Sequence, residues 1–313
     1  MTDAPAPIPT SVSEAAQRWL AQPRQTGEIP AADDHDAWRR MIDAANVGIC
    51  ERFGGIELPV TVDEATVAGV PTFVIHGPEV TDPDGMPLYL YVHGGGLIMG
   101  AGEACRLMSS AAALAAGVPT YAPDYRMPPD HPYPAALDDL IAVYRALLEL
   151  RAPEQLFVGG ASAGGNLAAA LLLRAHDEGL PMPAALVLQT PEVDLTESGD
   201  SFVTNAAFDN VLGSLMHANL LYANGADLAH PYLSPLFAAP EDLAAFPPTF
   251  LQAGTRDLYL SNTVRMHRAL RAAGVDAELH VWEAMPHGGF GGAPEDIEIM
   301  TETRRFLDAH RTP

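Results

Sequence analysis

Between residues 12 and 53 the apolar side chains recur at three- and four-residue steps. SVSEAAQRWLAQ opens with serines suited to capping, and DDHDAWRRMIDAANVGICERF keeps the same spacing. The pattern predicts helix and no strand in this opening segment. After Gly55 the texture changes to short β-branched runs alternating with helical ones. Strands are predicted over 64–67, 72–76, 88–92, 120–123, 156–159, 185–189, 249–253 and 278–282. Helices are predicted over 105–116, 135–150, 164–178, 260–273 and 297–309. This alternation implies an α/β class: a mostly parallel eight-stranded sheet with helices on both faces. One interval breaks the rhythm. Residues 194–246 hold no clear strand but do hold a helical run, SLMHANLLYANG, followed by a Pro-rich stretch. An excursion of that length between two strands reads as a lid or binding insertion. The expected organisation is therefore N-terminal cap helices over 1–53 and a main domain over 54–313, with a cap insertion at about 195–246.

Composition narrows the chemistry. The 313 residues can bury a large core unaided, and the first ten, rich in Pro and Ala, read as frayed. Formal net charge is −23, from 40 acidic and 17 basic residues, and every basic residue is Arg. With no basic patch, neither nucleic acid nor an anionic membrane is an expected partner. The absence of Lys also removes a P-loop and a pyridoxal phosphate Schiff base. A GC-rich coding bias and a salt-adapted surface both account for the missing lysines. Two cysteines, Cys50 and Cys105, stand in no CxxC motif and read as unpaired thiols suited to a reducing cytoplasm. The start, MTDAPAPIPT, has neither a basic nor an apolar signal region, and no apolar run reaches transmembrane length. A cytoplasmic location is the expectation.

The chemistry centres on VGGASAGGN at 158–166. Gly160-Ala161-Ser162-Ala163-Gly164 fits G-x-S-x-G and stands directly between a predicted strand and a predicted helix, where a nucleophile elbow belongs. Such glycines can also serve only to pack a helix closely on a sheet. A nucleophilic serine needs a base, an orienting acid and an oxyanion hole, and candidates for all three exist. His93-Gly94-Gly95-Gly96 ends the third strand. There the Gly94 and Gly95 N–H groups, with that of Ala163, could hold a developing oxyanion, and His93, Gly96, Gly160 and Gly164 would support the two motifs. His287 lies in PHGGFGG after the last strand, and Asp257 follows TFLQAG at once, although an Asp there also suits a helix cap. The order Ser162, Asp257, His287 is that of an α/β-hydrolase. Neither HExxH, nor a clustered metal set, nor G-x-G-x-x-G after a strand occurs, so the expected reaction is free of metal and cofactor.

From about residue 88 to 310 the chain resembles the hormone-sensitive-lipase-like, bacterial class IV esterases of the α/β-hydrolase superfamily. The resemblance rests on HGGG at 93–96, YRMPPDHPYPAALDD at 125–139, GASAGGN at 160–166, TPEVDLTESGDS at 190–201, PYLSPL at 231–236, GTRD at 254–257 and PHGGF at 286–290. Within that group the chain is most similar to proteins labelled epsilon-lactone hydrolases. The resemblance implies a serine carboxylesterase acting on short- to medium-chain esters or lactones through an acyl-enzyme, and a homodimer formed through the last strand, ELHVWEA. The same catalytic groups also suit amide, carbamate and thioester cleavage. A reading of another class is an inactive scaffold that binds a small ligand beneath the cap. Such relatives lose the Ser or the His, and both stand here. Three departures from the family pattern are Ala161 in place of Asp or Thr, Asp130 in place of Glu, and Pro191-Glu192 in place of Pro-Trp. Glu192, at the C-terminal end of a strand, could line the pocket as a polar specificity group or support a neighbouring catalytic residue; a solvated or ion-paired Glu is the plainer alternative.

Overall fold

Eight strands form one sheet in the order β1-β2-β4-β3-β5-β6-β7-β8. They are β1 (Thr61–Val67), β2 (Val70–His76), β3 (Leu88–Val92), β4 (Thr120–Pro123), β5 (Leu156–Ala161), β6 (Ala185–Gln189), β7 (Thr249–Gly254) and β8 (Ala277–Trp282). The structure is a computed structural model that describes residues 7–24, 27–53, 55 and 57–311; residues 1–6 of the segment expected to fray lie outside it. β1 pairs antiparallel with β2, and β2 antiparallel with β4; all other neighbours are parallel. The central strands LYLYV and LFVGGA are apolar on both faces, as parallel strands covered twice must be. β5 runs two residues past its predicted end because its pairing with β6 continues through Ala161 and Gln189.

Side chains alternate between the two layers. Leu88, Leu90, Leu156 and Val158 join the core beneath α4 (Ala135–Leu150), α5 (Ala163–Asp177) and α9 (Leu260–Ala272). Tyr89, Tyr91, Phe157 and Val187 face α3 (Glu103–Ala116) and α10 (Pro294–Ala309) with Phe250 and Phe306. Each fully buried Leu or Phe contributes roughly 1.5–3 kcal/mol.

The opening helical stretch is two helices, α1 (Glu14–Leu20) and α2 (His35–Phe53). Pro23, Gly27 and Pro30 lie between them, and proline and glycine cannot sustain helix cheaply. Ser13 caps α1 by accepting from the Ala16 N–H, and its own N–H and hydroxyl donate to Glu295 on α10. Val12, just before α1, and the α1 side chains Ala16 and Leu20 pack on Ala284, Met285 and Phe290, in the segment after β8. Trp38 and Ile42 of α2 pack on Ile98 and on Ala218 of α7 (Met216–Ala223). The predicted insertion also contains two single-turn helices, α6 (Ser201–Thr204) and α8 (Pro240–Leu243). Both added segments thus lie against loops that leave the C-terminal ends of the strands.

Candidate active site

Ser162 sits between β5 and α5 with φ 57° and ψ −123°. An L-residue holds that conformation only where its surroundings enforce it. Enforcement comes from both sides of the turn. The Ser162 N–H donates to Gln189 O at 2.8 Å, and its carbonyl accepts the N–H groups of Gly165 and Glu192 at 2.9 and 3.1 Å. A Cβ on Gly164 would fall 2.0 Å from Val92 O, so only glycine lets α5 start this close to β3. The glycines therefore pack the helix on the sheet and hold the serine on a strained turn, which joins the two readings of the motif.

His287 and Asp257 converge on this turn. The Ser162 hydroxyl donates to His287 Nε2 at 2.9 Å, and His287 Nδ1–H donates to Asp257 Oδ1 at 3.0 Å, a tautomer assigned from these neighbours. Asp257 is fully buried, and its Oδ1 also accepts the Tyr259 N–H at 2.9 Å. Burial alone would lower the His287 pKa, but the nearby carboxylates of Asp257, Asp209 and Glu192 outweigh it and raise the pKa above its ordinary value. The Tyr259 ring stands edge-on to the imidazole, with centroids 4.9 Å apart.

The HGGG segment lies against the same turn. A Cβ on Gly94 would lie 2.9 Å from Ala161 O and 3.3 Å from Ser162 Cβ, so the Gly94 backbone touches the elbow. The Ala163 N–H opens α5 and has no partner four residues back, as at any helix start. His93 is turned away from the hydroxyl. Its ring stacks on Tyr125 at 4.2 Å, its Nδ1–H donates to Gly94 O at 2.8 Å, and burial pushes its pKa down to about 4. A neutral His93 therefore shapes the loop rather than moving protons. Gly96, with φ 58°, continues the turn beneath Leu215.

Glu192 is placed differently from a pocket-lining group, because its side chain is fully buried behind the elbow. Its two oxygens make no hydrogen bond; the polar groups of Tyr259 and Asn219 lie near enough to favour the carboxylate without bonding to it. Burial dominates and raises its pKa to about 7. Asp209, from the insertion, had no local sequence signal. Its Oδ2 accepts the N–H groups of Leu258 and His287 at 2.9 and 3.3 Å, tying together the loops that carry the acid and the imidazole. Sequence distance also hid a grouping of His93, Cys105 and Asp124, whose ligand-type atoms lie within 4.8 Å of one another. Burial raises the Cys105 thiol pKa far above its usual range, which keeps the free thiol protonated. Among the described residues no helix is long and apolar enough to cross a membrane.

Residues 89–290 match the family described as alpha/beta hydrolase fold. An acetyl-hydrolase of Streptomyces hygroscopicus is 35% identical, over 82% of this chain and 83% of its own. The crystal structure of an esterase, E25, superposes with a TM-score of 0.90 at 34% identity, covering 100% of this chain and 98% of that one. An esterase of the bacterial hormone-sensitive lipase family superposes with a TM-score of 0.80 at 33% identity, covering 97% of this chain and 100% of its own. An eight-stranded, mostly parallel sheet with its serine on the elbow after β5, together with these matches, places the chain in the α/β-hydrolase family, among the hormone-sensitive-lipase-like esterases.

Proposed function

We propose that this carboxylic ester hydrolase works as a serine esterase on short- to medium-chain carboxylic esters or lactones. The observation that carries the reading is the unbroken relay from the Ser162 hydroxyl through His287 to buried Asp257, with both contacts at or below 3.0 Å. Ser162 Oγ attacks the ester carbonyl carbon as His287 Nε2 takes its proton. The N–H groups of Gly94, Gly95 and Ala163 hold the oxyanion, aided by the positive end of α5. The imidazolium then protonates the leaving alcohol, and water activated by the same imidazole hydrolyses the acyl-enzyme. Asp257 holds the required tautomer and stabilises the imidazolium. The acetyl-hydrolase relative supports a small acyl group. α1, α2 and the insertion would act as a cap, a role supported by their packing on the loops around Ser162 and His287.

Ser162→Ala should abolish covalent labelling by a fluorophosphonate and hydrolysis of p-nitrophenyl butyrate. Labelling that persists at another residue overturns the assignment. The edge strand β8, with Val281 exposed, supports the dimer reading, which sedimentation of the intact chain tests.

A further inference from the structure

On the α3/α10 face of the sheet, beside the elbow, lies a cavity of about 320 Å³. Its walls include Ala161 and Gly288, the chain neighbours of Ser162 and His287, so it reaches the two residues that flank the reacting pair. Leu107 and Ala112 of α3 and Ile299 of α10 make its far side apolar. A side chain longer than methyl at position 161 would enter this space, and Ala161 leaves it open. Gln252, near the end of β7, supplies a polar point on the lining. It is 5% exposed, and its Oε1 has no hydrogen-bond partner. A buried carbonyl-type oxygen without a donor is costly, and a ligand hydroxyl would relieve it. Space of this size, lined mainly by apolar side chains with Gln189, Thr190, Asp296 and Gln252 as its polar points, of which Gln252 Oε1 is buried without a partner, has the character of a small-molecule site.

We propose that this cavity is a second arm of the substrate site, which takes an unbranched aliphatic chain of the ester and binds a hydroxyl at the far end of that chain through Gln252 Oε1. The proposal rests on the serine-esterase reading. The substrate class it names is an ester bearing a terminal hydroxyl, on either the acyl or the alcohol side. Each buried methylene should raise kcat/KM roughly fourfold until the cavity is filled, and the terminal hydroxyl should add about tenfold more.

Two pairs of substrates distinguish the sides: p-nitrophenyl hexanoate against its ω-hydroxy counterpart, and hexyl acetate against its ω-hydroxy counterpart. In the native enzyme one pair should show about a tenfold preference for the hydroxyl, and Gln252→Leu should erase it. Ala161→Leu and, farther from the serine, Ala112→Leu should each lower the hexanoate-to-acetate ratio of kcat/KM at least tenfold. The cavity assignment is overturned if neither pair shows the preference, if the preference survives Gln252→Leu, or if both filling variants leave the ratio unchanged. Fluorophosphonate labelling of the same proteins separates the two levels. Labelled Ser162 with unchanged ratios removes the cavity alone, whereas a native enzyme that fails to label at Ser162 removes the reading beneath it.

Discussion

The loops leaving β3, β5, β7 and β8 and the helices packed above them meet around one site, yet they are held by different forces. The loops are fixed by backbone hydrogen bonds to strand ends and to one another: Ser162 N–H to Gln189 O, Thr255 N–H to Trp282 O, and Arg256 N–H to Met285 O. The overlying helices are held largely by side chains. Trp38 and Ile42 pack on Ile98 and Ala218, Arg39 pairs with Asp130 at 2.6 Å, and the Arg24 guanidinium donates to carbonyls of the insertion, including Ala206 at 2.9 Å. Backbone bonding within a sheet fixes atoms to tenths of an ångström, whereas apolar packing tolerates repacking of similar volume. The difference suits the work proposed for each region: proton transfer needs the first kind of control, and enclosing a variable substrate needs only the second.

The sharpest way to break the comparison is inside the loops. Gly94→Ala places a Cβ 2.9 Å from Ala161 O, and should displace an oxyanion donor and cut kcat by about a hundredfold or more, as steady-state kinetics would record. A fall of less than threefold would show that the loops are no more tightly specified than the helices. Trp38→Ala acts on the helices instead. It should raise KM severalfold for p-nitrophenyl butyrate while kcat changes by less than about threefold, because the truncated side chain packs on Ile98 and Ala218 and makes none of the elbow hydrogen bonds. An equal loss in kcat would mean that the α2 contact sets the catalytic geometry as well.

Glu192 sits at the seam and gives the smallest effect on rate, read through pH. Its carboxylate is one of the groups that raise the His287 pKa. Because the imidazole must be neutral to accept the serine proton, the acid limb of kcat/KM should lie above the ordinary imidazole value of about 6.5. Glu192→Gln removes a raising charge that develops only as pH approaches and passes 7, so the limb should move slightly to lower pH. Stability follows from the shift in Glu192 itself. Its pKa is raised from 4.5 to about 7, so between those values the folded chain holds a proton that the unfolded chain releases. The contribution is therefore fully present below pH 4.5 and is lost as pH rises through 7. Relative to the native protein, Glu192→Gln should gain stability across that window, by on the order of 3 kcal/mol at its upper end. Thermal melts of both proteins at pH 4.5, 6 and 8 would show it. A constant difference would remove Glu192 as the buried titrating group.

Much of this molecule was legible in its residues because the relevant forces are local. β-branched and apolar runs with period two mark strands that are buried on one or both faces. A serine between such a run and a helical one, or an Asp immediately after TFLQAG, is positioned by its own strand. The parallel sheet and the placement of Ser162, Asp257 and His287 on the loops after β5, β7 and β8 follow from that alternation. Asp209 was not legible. It contacts His287 across 78 residues, and no periodicity links them. Nor did the sequence show that Glu192 is sealed from solvent, or that Ala161 opens onto a cavity whose walls come from α3 and α10. Those facts depend on how separate elements close on one another, and a partner distant along the chain is selected by the sum of many packing contacts rather than by the residues beside it. The sequence by itself therefore determined the sheet and the identity of the groups it presents. Only the tertiary structure decided what surrounds those groups, because burial and long-range proximity are properties of the packed whole.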